Sequence, residues 1–128
     1  MSVKFLSEEW IQAVQDALNA SDGFRSAAGG QTTRVQQVVT GGDGEIRYWF
    51  QLEGGQASLG LGDSPEDVDA TITQDYDTAI ALSKNELTGT AAYMSGKLRV
   101  SGDLMKLMQL QAAMGQMPAA LKDIEVEY

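Results

Sequence analysis

The stretch that decides the fold is AAYMSGKLRVSGDLMKLMQLQAAM, residues 91–114. Its hydrophobic pattern changes partway along. Over residues 97–101 the apolar side chains alternate, which predicts a strand, and after Gly102 and Asp103 they follow helical spacing. Gly102 permits a sharp turn, and the carboxylate of Asp103 can cap the first amides of a helix. The stretch therefore predicts a short strand that turns directly into an amphipathic helix.

The predicted helix has a broad apolar face. Placed at about 100° per residue, its apolar side chains span an arc of roughly 220°, whereas a helix lying on one sheet needs little more than about 100°. Gln111 is the one interruption of this arc, which consists of Leu104, Met105, Leu107, Met108, Leu110, Ala112 and Met114. Methionine is flexible and polarizable, so it suits ligands of irregular shape. The helix therefore has apolar surface left for a second partner.

The composition excludes several classes of function. At 128 residues the chain is long enough for one domain with its own core, and we expect a single domain over residues 1–128. Its 9 Lys and Arg against 18 Asp and Glu give a formal charge of −9. This charge argues against nucleic acid as a partner and allows at most transient membrane contact.

Cysteine and histidine are both absent from the sequence. Disulfides, thiol catalysis and thiolate metal sites are thereby excluded, and so are the commonest general base and the commonest zinc ligand. We expect no metal and no cofactor.

The two ends of the chain differ from the patterns of targeting signals. The N-terminal residues reach Glu8 and Glu9 without the long apolar run of a signal peptide. No stretch approaches the ~18 apolar residues of a membrane span, and the C-terminal Val-Glu-Tyr differs from a Ser-Lys-Leu address. We therefore expect a cytoplasmic location.

The first half of the chain predicts one helix followed by an antiparallel meander. Ser7 is a good N-cap for a helix that ends near residues 19–23. Three strands are then predicted by alternation, joined by a loop at 41–44 and by Gly54-Gly55. Their ranges are 34–40, 45–53 and 56–62.

The second half predicts a fourth strand, two short helical pieces and an undecided C-terminal segment. The fourth strand covers residues 68–73, and Asp75 or Asp77 then starts a short helix. A second helical piece covers residues 86–94. From Pro118 onward the apolar spacing fits helix and strand equally well, and both alternatives stay open.

Features between residues 70 and 110 indicate a family. They are Ala-Thr-Ile-Thr at 70–73 before an Asp-rich helix start, Ala92 and Gly96, the alternating Leu98-Arg99-Val100, and Gly102-Asp103 before a Leu/Met helix. In this combination the chain resembles the sterol carrier protein 2 (SCP2-like) domain, and the order of elements over residues 7 to 116 fits as well.

The resemblance implies an α+β fold with a mixed five-stranded sheet covered on one face by helices. An apolar tunnel between sheet and helices would hold a fatty acid, a fatty acyl-CoA or a sterol-like lipid. The resemblance also implies a non-catalytic lipid-binding or carrier protein. Related domains occur fused within larger enzymes.

The candidate tunnel-lining residues combine the broad helix face with inward positions on other elements. Core packing explains the same residues, so the two interpretations stay open for each of them. The set is Phe50, Leu61, Ile72, Ile80, Leu82, Met94, Leu104, Met105, Leu107, Met108, Leu110 and Met114. No residue is assigned to a lipid carboxylate, because alternation points Lys97 and Arg99 away from Leu98.

Two other functions remain as alternatives. The methionine-rich helix could be the interface of an interaction module, such as a homodimer, with no ligand. A small isomerase or hydrolase would need a buried carboxylate with a raised pKa, and the sequence places none in the candidate site.

Overall fold

The protein is described by a computed structural model that covers residues 2–41, 44–84, 86–109, 113, 116 and 119–127. The elements in chain order are β1 (Ser2–Lys4), α1 (Glu8–Ala20), α2 (Asp22–Ala28), β2 (Thr33–Gly41), β3 (Gly44–Glu53), β4 (Gln56–Leu61), β5 (Ala70–Asp75), α3 (Tyr76–Ser83), α4 (Gly89–Met94), β6 (Arg99–Gly102), α5 (Leu104–Gln109) and β7 (Glu125–Glu127).

The larger sheet has five strands in the order β4-β3-β2-β5-β6. Strands β2 and β5 are parallel, and the other neighbouring pairs are antiparallel. The predicted α+β class, the antiparallel meander and the mixed five-stranded sheet are confirmed.

Helices α1 and α3 begin at polar N-cap residues that the sequence predicts. Ser7 Oγ accepts a hydrogen bond from Trp10 N at 3.2 Å, as expected for the start of α1. Of the two aspartates considered for α3, Asp75 is the cap, because its Oδ1 accepts from Thr78 N at 2.7 Å. The hydrogen bonds from the Thr78 side chain and backbone lower the pKa of Asp75, so its carboxylate stays ionised at the helix start.

One face of the sheet carries the core. Helix α1 turns four large side chains inward, and β2, β3 and β4 meet them with every second residue. The buried cluster consists of Phe5, Leu6, Trp10, Ile11, Val14, Leu18, Phe24, Ala28, Val35, Val39, Phe50, Leu52, Ala57, Leu59, Ala79 and Ala113. The helices therefore cover this face, which we call the helix-facing side.

Helix α2 is absent from the sequence-based outline. α1 ends at Ala20 as expected, but Ser21 at once caps α2, with Oγ accepting from Phe24 N at 3.1 Å. Phe24 is fully buried. Seven residues give too few turns for a clear helical period, which is why the pattern missed this helix.

The outline also missed the small sheet, in which β1 pairs in parallel with β7 through Val3 and Val126. The C-terminal segment contains both alternatives in succession, since residues 119–120 are helical and β7 follows. The fourth predicted strand begins at Ala70 rather than at residue 68. The predicted long helix is described over Leu104–Gln109, and its continuation at 110–112 and 114 lies outside the described residues.

Asp69 joins three elements at one end of the sheet. Its backbone N donates to Arg34 O at 2.8 Å, while its Oδ2 accepts from Arg34 N at 2.9 Å. Its carbonyl accepts from Asp103 N at 2.7 Å, and its Oδ1 lies 3.6 Å from Lys106 Nζ. Asp69 therefore holds the start of β5 to the start of β2 and to the turn before α5.

Gln36 fixes the β4–β5 connection on the opposite face of the sheet. It is 6% exposed. Its Nε2 donates to Tyr48 O at 3.1 Å and Gly62 O at 3.0 Å, and its Oε1 accepts from Ser64 N at 2.8 Å. The buried side-chain amide of Gln36 thereby provides hydrogen-bond partners for backbone groups of both the strands and the loop.

Substitution of Gly102 by alanine should lower stability strongly. Gly102 has φ +107°, and a Cβ there would lie 2.8 Å from Ala70 Cα, so the substitution adds backbone strain and a steric clash. We expect a loss of more than about 2 kcal/mol in the free energy of unfolding by urea. Gly96→Ala is the matched control, because Gly96 also has positive φ (+79°) but open space around it. Equal losses in both variants would show that the clash does not contribute.

Candidate functional site

A row of side chains crosses the helix-facing side of the sheet, one from each strand. Strand pairing aligns Leu61 with Tyr48, Tyr48 with Gln37, Gln37 with Ile72, and Ile72 with Val100. Leu61 is 39% exposed and the other four are partly exposed. We call these five residues the half-exposed row.

The neighbouring row differs in burial. On four of these five strands, the helix-facing residues two positions along are Leu59, Phe50, Val35 and Ala70, and all are buried. Because β2 and β5 are interior strands, their helix-facing residues would be buried under a continuous layer of helices. The helical layer therefore leaves the half-exposed row incompletely covered.

Further apolar side chains lie on the helix-facing side of the sheet. Tyr76 and Ile80 of α3 and Leu107 of α5 are partly buried and pack against the core cluster. The rings of Trp10 and Tyr48 meet edge to face with centroids 5.6 Å apart. The helix-facing side of the sheet thus carries mainly hydrocarbon and aromatic side chains around the polar Gln37.

A separate cavity of about 190 Å³ lies between α1, the end of α3 and the C-terminal segment. Polar and apolar atoms contribute about equally to its surface, and the lining residues are Trp10, Val14, Ser83, Leu121, Ile124 and Val126. Trp10 therefore borders this cavity and also contacts Tyr48 of the half-exposed row. A larger hollow of about 340 Å³ near Arg25 and Gly55 is a shallow, polar feature of the surface.

The structure divides the predicted tunnel-lining residues into groups. Phe50 is buried, and Ile72, Ile80, Leu82 and Leu107 are partly buried. The exposed ones, with their exposed fractions, are Leu61 (39%), Leu104 (42%), Met108 (57%), Met105 (67%) and Met94 (81%). Leu110 and Met114 lie outside the described residues. The tunnel and its lining remain predictions.

Sequence reasoning missed the residues that line the 190 Å³ cavity. Trp10 and Val14 belong to a face of α1 that the periodicity marks as apolar, but periodicity does not identify what packs against it. Leu121, Ile124 and Val126 come near α1 because β7 pairs with β1. No local signal announces that pairing of the two chain ends.

Three of the four acidic residues between β4 and β5 lie close to cations. Asp63 pairs with Arg47 at 2.6 Å, Glu66 pairs with Arg34, and Asp69 lies near Lys106. Within the described residues, no group of three or more acidic side chains is placed to hold a metal ion. Burial raises the pKa of the Tyr48 phenol, so it keeps its proton at neutral pH. No helix in the described part of the chain is both long and apolar enough to span a bilayer.

A mixed five-stranded sheet with helices over one face is the α+β architecture of an SCP2-like domain. The chain belongs to the SCP-2 sterol transfer family, whose model matches residues 8–115.

Similar proteins include both whole domains and parts of larger chains. The crystal structure of sterol carrier protein 2 superposes with a TM-score of 0.81 at 20% identity, covering 94% of this chain and 99% of that one. The solution structure of a conserved hypothetical protein from Thermus thermophilus gives 0.83 at 19% identity, covering 99% and 94%. These likenesses establish the fold.

Among curated proteins, hydroxysteroid dehydrogenase-like protein 2 from Homo sapiens is 30% identical over 114 residues. The match covers 89% of this chain and 26% of that protein. The chain thus spans about a quarter of the length of the hydroxysteroid dehydrogenase-like relatives that it matches.

Two neighbouring residues of α5 should respond differently to truncation. Leu107→Ala should cost about 1–2 kcal/mol in unfolding free energy, because Leu107 packs against the core. Met108→Ala should change stability by less than about 0.5 kcal/mol, because Met108 is 57% exposed. Urea unfolding of both variants measures the difference, and similar costs would contradict the described orientation of α5.

Proposed function

We propose that this chain binds one lipid molecule in the space over the half-exposed row and acts as a non-catalytic lipid carrier. The ligand class is a fatty acid, a fatty acyl-CoA or a sterol-like lipid. The observation that carries the proposal is the incomplete cover over the middle of the sheet. There the polar Gln37 and the apolar Ile72 of the interior strands are partly exposed, as are Leu61 and Val100 on the edge strands.

The physical basis is burial of apolar surface. Residues such as Ile72 and Val100 lose contact with water when a hydrocarbon chain covers them, which contributes about 25 cal/mol for each Å². The 190 Å³ cavity is smaller than the roughly 300–1,000 Å³ of ordinary ligand sites. A lipid is therefore too large for the cavity near Trp10 alone. Part of the lipid can enter that cavity, and the rest must lie over the half-exposed row.

Family membership supports lipid binding, since the matching family is described as one of sterol transfer. The sequence supports a non-catalytic role, because it contains neither cysteine nor histidine for nucleophilic or general base chemistry. The cytoplasmic location remains a prediction.

A second candidate function is an interaction module, and the exposure of Met94, Met105 and Met108 favours it. These side chains could lie at the contact between two copies of the chain, with the space over the row filled by side chains. Sedimentation at increasing protein concentration separates the two functions: a mass that doubles, with no uptake of lipid, supports the module.

Affinity should depend on the length of the aliphatic chain. In a series of saturated fatty acids, each added methylene should strengthen binding by up to ~0.8 kcal/mol until the available space is full. Titration calorimetry gives the affinities, and native mass spectrometry gives the stoichiometry of one lipid per protein. Affinities that ignore chain length would overturn the carrier proposal.

Filling the space over the row should block the ligand. Ile72→Trp should weaken fatty acid binding by about tenfold or more, because the indole occupies volume on the helix-facing side. Thr71→Trp is the matched control, since Thr71 is the adjacent residue on the opposite face of β5. The control should bind within about twofold of the wild type. Equal loss in both variants would place the ligand elsewhere.

A further inference from the structure

Two glutamines stand in the middle of the helix-facing side of the sheet. Gln37 of β2 belongs to the half-exposed row, and Gln74 of β5 lies beside Val39 on the same side. Gln74 Nε2 donates to Gln37 Oε1 at 2.8 Å, and Gln74 is 6% exposed. Amide groups on an apolar face carry a desolvation cost, which one mutual hydrogen bond offsets only in part.

Each glutamine keeps one unused amide atom. Within the described part of the chain, Gln37 Nε2 donates no hydrogen bond and Gln74 Oε1 accepts none. Gln31 Oε1 is the only fully buried side-chain polar atom without a partner in that part of the chain. The two free amide atoms are therefore not completely buried, and each can still take a hydrogen-bond partner, one as a donor and one as an acceptor.

A donor beside an acceptor matches a group that can both accept and donate a hydrogen bond. An alcohol hydroxyl has this character, and so has an undissociated carboxylic acid. A carboxylate accepts only, and its charge would need a cation. Gln37 also pairs across the strands with Tyr48, whose phenol can both donate and accept a hydrogen bond.

A charged head group at the Gln37–Gln74 pair would need a cation of the chain to neutralise it. Of the nine Lys and Arg, Arg34 and Lys106 are partly buried and the rest are exposed. Arg34 is on the opposite face and pairs with Glu66, while Lys106 points to Thr32 O and Asp69 at the end of the sheet. Lys97 acts on Asp75, which lies on the opposite face of β5 from Gln74. Within the described part of the chain, no salt bridge or hydrogen bond joins a cation to the glutamine pair.

We propose that Gln37 and Gln74, together with the hydroxyl of Tyr48, form a hydrogen-bonding subsite for the uncharged polar head of the bound lipid. The head is an alcohol hydroxyl or an undissociated carboxylic acid. This inference rests on the proposed lipid-binding function and names the chemistry that the site selects.

The test compares three ligands with the same chain: dodecane, dodecanol and dodecanoic acid. Wild-type protein should bind dodecanol about three- to thirtyfold more tightly than dodecane, the range for one or two net hydrogen bonds. The affinity for dodecanoic acid should rise as pH falls toward the pKa of its carboxyl group. The side-chain amide NMR signals of Gln37 and Gln74 should shift with dodecanol and stay in place with dodecane.

The deciding variant is Gln37→Leu combined with Gln74→Leu, which removes both partners together and leaves neither amide unpaired. In it the preference for dodecanol over dodecane should fall below about twofold, with affinity for dodecane retained. Gln51→Leu is the matched control, because Gln51 lies on the opposite face of the sheet, and it should keep the wild-type preference.

The outcomes separate the two proposals. If wild type binds dodecane and dodecanol equally, or if the double variant keeps the preference, the subsite is overturned while the carrier function stands. If wild type binds none of the three ligands, the carrier function fails and the subsite fails with it.

Discussion

The arrangement depends on the parallel pairing of β2 with β5, and Asp69 is the residue that secures it. The chain leaves β4 at one edge of the sheet and must return on the far side of β2. At that point Asp69 makes two hydrogen bonds with the backbone of Arg34. Asp69 N donates to Arg34 O, and Asp69 Oδ2 accepts from Arg34 N. The carbonyl of Asp69 accepts a hydrogen bond from Asp103 N and so positions Asp103. Position 102 requires glycine because the backbone of Gly102 passes close to the backbone of Asp69 and Ala70.

This constraint also explains why part of the sheet is left uncovered. Parallel strands start at the same end, so Asp69 draws α5 toward the starts of β2 and β5, where Lys106 reaches Thr32 O. α3 follows directly from the other end of β5. Between these anchors runs the half-exposed row, which includes Gln37 and Ile72.

The elements with strong local signals were predictable. Ser7 and Asp75 cap helices because a short polar side chain can satisfy free amides, and alternation marked β3 because its two faces differ in polarity. The sequence pattern did not predict α2, which is seven residues long, or the pairing of β1 with β7, which are three residues each. Such short elements contain too few residues for a clear hydrophobic period. Those strands exist because the two ends of the chain meet.

The burial of the candidate site residues was predictable only in part. Periodicity marked Ile72, Ile80 and Leu107 as inward, and they do border the core. It marked Met105 and Met108 as equally apolar, yet they face solvent, because periodicity defines a helix face without defining what lies opposite. The Gln37–Gln74 contact joins residues 37 positions apart in the sequence. The sequence by itself thus determined the class of fold, the caps and the apolar faces through local spacing. Only the tertiary structure decided which faces are covered, since that depends on the register between β2 and β5.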